Sequence, residues 1–169
     1  MKDKYKHLLN FTANIISLAV EAAMFGWVWY MLYIPMLDKA NTFFNRGNWA
    51  VIGMYVLFVF FFTKIFGGYR IGYMRISDII LSQILAVILA MIVAYFEICL
   101  VANDYLPPQP LLLMTVTEII FIVPWVVLVR KAYTRLYPPR QMLVIYGNYS
   151  PDDLIAKINT RKDKYNICA

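Results

Sequence analysis

Charge is scarce in this sequence. Asp, Glu, Lys and Arg together make up 15% of its 169 residues, where a soluble domain carries about a quarter. Histidine is nearly missing. His7 stands alone in a basic N-terminal segment, without ligand-like neighbours. The only cysteines are Cys99, inside an apolar run, and Cys168, beside the C-terminus. Two cysteines so placed build neither a disulfide framework nor a metal site. Both read as small apolar side chains. No Ser/His/Asp set, Cys/His pair, metal-spaced cluster or Walker-type glycine loop occurs. The chain therefore has no recognisable catalytic centre. A cleavage site is lacking too. Lys2, Lys4 and Lys6 precede an apolar run that continues to Ile34. That run is too long for a signal core, so it reads as an uncleaved membrane helix.

What is abundant is apolar. Hydrophobic residues make up 62% of the chain and aromatic ones 17%. Four stretches are long enough to span a bilayer, at residues 8–34, 49–66, 76–101 and 111–130. A spanning helix needs about 20 apolar residues, with about 17 as the lower limit. Lipid offers no hydrogen bonds to open backbone, so these are helices rather than strands. Residues 1–137 are thus expected to form a four-helix transmembrane domain. Its orientation follows from its cations. Lys2, Lys4, Lys6, Lys64, Arg70, Arg75, Arg130, Lys131, Arg135 and Arg140 cluster at one set of ends, against only Lys39 and Arg46 in the first connection and none in Ala102–Pro110. Cationic segments stay in the cytoplasm, so both termini are expected there.

The connection FGGYRIGYMRISDIILSQ, residues 66–83, is glycine-bearing, basic and aromatic at once. Gly67, Gly68 and Gly72 end the preceding helix. Ser77 or Asp78 is expected to cap the next one. Tyr69 and Tyr73 suit the headgroup layer. Arg70, Arg75, Arg130 and Lys131 are candidate headgroup contacts, and they serve equally as topology signals.

Two patterns lie within the spans. Ser82, Ala86, Ala90 and Ala94 form a stripe of small residues, and Ala19, Ala22, Ala23 and Gly26 form a shorter one. Both are expected to be buried against neighbouring helices. All three glutamates, Glu21, Glu97 and Glu118, are intramembrane. Glu21 is expected near mid-depth. Glu97 and Glu118 are expected in the outer halves of their helices, facing each other and sharing a proton. No Lys or Arg lies at matching depth, so neutral carboxyls bonding between helices are favoured over a proton or cation pathway.

After Pro138-Pro139 the pattern changes. Gln141–Tyr146 reads as a strand and Gly147-Asn148 as a turn. Ser150-Pro151-Asp152-Asp153 reads as a helix start. Tyr165–Ala169 opens a further strand. This β-α(-β) start cannot bury a core alone, so a chain cut inside a cytoplasmic α/β domain is expected. The turn has one glycine and two acids, which argues against a dinucleotide site.

Taken together, the four helices, the turn GGYRIGYMRISDIILSQIL, the segment VRKAYTRLYPPRQMLVIYGN and the α/β start resemble the N-terminal region of bacterial polyprenyl glycosylphosphotransferases. These sugar transferases initiate exopolysaccharide, capsule and O-antigen synthesis. The resemblance implies an all-α membrane bundle followed by a truncated Rossmann-like domain at 138–169. It implies a further catalytic domain, carrying an Asp-Glu pair and magnesium, that transfers a sugar phosphate from a nucleotide-sugar to undecaprenyl phosphate. No catalytic, cofactor-binding or metal residue is expected in this chain. The implied location is the bacterial inner membrane. The implied partners are the lipid bilayer, the catalytic domain and a homo-oligomer, with no nucleic acid. The alternative is a small four-helix, proton-coupled multidrug transporter using Glu21.

Overall fold

The computed structural model describes residues 2–37, 46–70, 74–136, 140–142, 155 and 165–167. Four long helices dominate: α1 Lys2–Val28, α2 Arg46–Phe66, α3 Ile76–Ala102 and α4 Gln109–Leu136. All four are long and apolar enough to cross a membrane. Only 22–33% of each spanning stretch is buried within the protein. The rest presents Leu, Ile, Phe, Val and Trp outward. An apolar exterior of that extent belongs in lipid rather than water.

The chain divides into two units, Met1–Val129 and Arg130–Ala169. The break falls earlier than the proline pair, inside α4, which runs on to Leu136. Pro110 lies in the first turn of α4, where a missing N–H is harmless, so the helix starts before the apolar run does. α1 begins at Lys2, since its basic segment is helical as well.

In the first unit the helices run up and down. α2 packs most extensively on α3 and next on α1. The stripe on α3 behaves as expected: Ala86, Ala90 and Ala94 are fully buried. Small side chains there let α2 approach closely. The shorter stripe on α1 does not. Ala19 and Ala23 are exposed, and Ala22 and Gly26 are only partly covered. α1 instead buries Ala13, Ser17, Glu21, Phe25, Trp29 and Tyr33. Four-residue steps keep those positions on one face. Large and polar groups fill that interface, and the small residues around Ala19 turn outward.

Past Val28, α1 widens into a π-helical turn, Trp29–Tyr33, whose end is marked by the Ile34 N–H bonding the Trp29 carbonyl. Trp29 and Tyr33 are both buried there. A tighter turn at Ile34–Met36, containing Pro35, follows.

α2 ends in a glycine cap. Gly67 has φ 78°. Its N–H bonds the Lys64 carbonyl at 3.2 Å, and the Gly68 N–H bonds the Thr63 carbonyl at 2.9 Å. This pair of bonds is the Schellman motif, which needs a left-handed residue at that position. Gly68 is required for another reason. A Cβ there would lie 2.8 Å from Thr63 Cγ2 and 3.0 Å from Gln83 Cγ.

α3 then starts at Ile76, after Arg75, with no side-chain cap. Ser77 and Asp78 stand inside the first turn rather than before it, so neither acts as the cap. Asp78 still favours the helix through its charge at the N-terminus.

In the second unit Arg140–Met142 pairs in parallel with Tyr165–Ile167. The expected turn at Gly147-Asn148 and helix start at Ser150–Asp153 lie outside the described residues.

Candidate functional site

The buried side chains of the first unit fall into two apolar clusters. One holds Phe25, Trp29, Tyr33, Val51, Tyr55, Val59, Ala90, Ala94, Ile98, Leu111 and Met114. The other is smaller: Ala13, Ile79, Val87, Ile122, Val126 and Val129. On α1 the polar Ser17 and Glu21 lie between Ala13 of one cluster and Phe25 of the other. On α4 Thr115 and Glu118 lie between Met114 and Ile122. A polar layer therefore separates two dry ones.

The layer is closed by hydrogen bonds. The Tyr55 hydroxyl lies 2.8 Å from Oε1 and 2.9 Å from Oε2 of Glu118, and donates to that carboxyl. Both residues are fully buried. The Ser17 hydroxyl donates to Glu21 Oε1 at 3.1 Å. Glu21 is near enough to interact electrostatically with both Glu118 and Tyr55. The Phe25 ring stacks on Tyr55, with centroids 4.2 Å apart and planes within 7°. That contact holds the phenol in place from the apolar side.

Glu118 thus bonds Tyr55, and not Glu97. Tyr55 and Glu118 each stand nine residues into their helices, whereas Glu97 lies five residues from the end of α3. Their depths differ. Glu97 is half-buried, and its Oε2 has no partner among the described residues. Tyr55 and Ser17 were not foreseen. Tyr55 could have been found by matching depths, since α2 and α4 start at the same end of the bundle.

The cationic candidates behave differently. Arg70, Arg75 and Lys131 are exposed, and Arg130 is buried. Tyr69 is not a plain headgroup residue. Burial pushes its phenol up to about 12, so it stays neutral. Its ring packs on Phe60. Its carbonyl accepts the side-chain amides of Asn10 at 2.8 Å and Asn14 at 3.3 Å. Tyr73 lies outside the described residues.

Chemically, the layer offers two carboxyls, a phenol and two hydroxyls, with no cation among the described buried residues of the first unit. Hydrogen bonds alone satisfy it. Such a set can fix helix register or carry a proton. Among the described residues no three potential metal ligands converge. No family model, curated protein or solved structure matches the chain.

Proposed function

We propose that this chain is the N-terminal membrane-anchoring region of a polyprenyl glycosylphosphotransferase. In this reading the first unit holds a catalytic domain, encoded beyond residue 169, at the inner leaflet of the bacterial inner membrane. That domain transfers a sugar phosphate from a nucleotide-sugar to undecaprenyl phosphate and uses magnesium. No residue of this chain touches the reacting atoms. The Glu21, Tyr55 and Glu118 layer sets how the helices pack. The exposed Arg70 and Arg75 meet headgroups or the catalytic domain.

One observation carries the reading over its rival. The membrane helices lead directly into chain whose Arg140–Met142 pairs in parallel with Tyr165–Ile167. Parallel strands need a crossover of a dozen or more residues between them, the mark of α/β architecture. A four-helix transporter has no use for such an extension.

The rival, a proton-coupled transporter, draws on the buried carboxyls of Glu21 and Glu118. Two experiments separate them. The reading frame downstream of Ala169 should continue for a few hundred codons and contain a second apolar segment. Proteoliposomes of the chain should show no proton-driven flux of lipophilic cations. Flux that disappears in Glu21→Gln would overturn the anchoring role.

A further inference from the structure

We draw no further inference here: the strongest candidate, the cleft of about 390 Å³ between α1, α2 and the turn after α2, lined by Asn14, Ile15, Phe60 and Lys64 among others, is an opening in the apolar outer face of the helices, and nothing in the structure shows what covers it.

Discussion

The two ends of the helical unit solve one problem in different ways. Each has a tight connection whose backbone carbonyls need donors near lipid. At the α3–α4 turn the donors are aromatic hydroxyls. Tyr33 bonds the Pro107 carbonyl at 3.0 Å and Tyr95 bonds the Leu106 carbonyl at 3.1 Å. At the α2–α3 turn they are amides and one hydroxyl, Ser82, which bonds the Phe66 carbonyl at 3.0 Å. Asn10 and Asn14 bond the Tyr69 carbonyl, and Gln83 bonds the Gly68 carbonyl at 3.3 Å. A tyrosine brings a large ring with its hydroxyl and fills the space beneath it. An amide brings almost no apolar volume. The first end is accordingly closed by the larger cluster. The second depends on glycine for close approach, and it is there that the cleft beside Lys64 opens. One end is built to be filled, and the other leaves room.

The largest effect should come from overfilling the dry interface itself. Ala90→Leu adds volume at a fully buried position between α2 and α3 and should destabilise the bundle by about 1–3 kcal/mol. Ala23→Leu, on an exposed face of α1, should change little. Thermal midpoints in detergent compare the pair, and equal losses would contradict the packing described here. Gly68→Ala should come next, also at about 1–3 kcal/mol, because its Cβ meets Thr63 Cγ2 at 2.8 Å. Thr63→Ser removes that methyl and should restore part of the loss. Without rescue, the close approach is not the reason for glycine.

Tyr55→Phe should cost about 1 kcal/mol, since it leaves Glu118 without its donor. In a Glu118→Leu background the same change should cost little, and a thermal double-mutant cycle reads that coupling. Additive losses would remove Tyr55 and Glu118 from a common layer. The smallest effect belongs to the filled end. Tyr33→Phe keeps the ring and loses only the bond to Pro107, about 0.6 kcal/mol by the average for bonds within membrane bundles. A much larger fall in midpoint would mean that the hydroxyl, not the ring, closes that turn.

The membrane helices were legible because lipid leaves an apolar chain little choice. Their interiors match the apolar runs, and the differences lie at the ends. α1 reaches back through its lysines, and α4 runs from Gln109 to Leu136, past both limits of its apolar core. Facing relations were harder. The α3 stripe was read correctly because every member is small, so the face that meets α2 is unambiguous. On α1 the small residues compete with Glu21, Phe25 and Trp29 for the inside, and spacing alone cannot rank them. The expected Glu97–Glu118 pair, inferred from their both lying in outer helix halves, is not formed: Tyr55 takes Glu118, and Glu97 lies nearer its helix end. Glu118 was found as a site, but its partner, a tyrosine among thirteen, is marked only by its matching depth in α2. The Arg140–Met142 strand lies at the start of the expected strand region, and Tyr165–Ile167 falls within the second.

The anchoring role is tested most directly by replacing residues 1–129 in the full reading frame with an unrelated four-helix membrane anchor. The readout is sugar phosphate transferred from a nucleotide-sugar to undecaprenyl phosphate, per membrane-inserted protein. The account predicts product from the native frame and, within a few fold, from the chimera. No product from the native frame with any nucleotide-sugar, or a silent chimera that inserts normally, would contradict it.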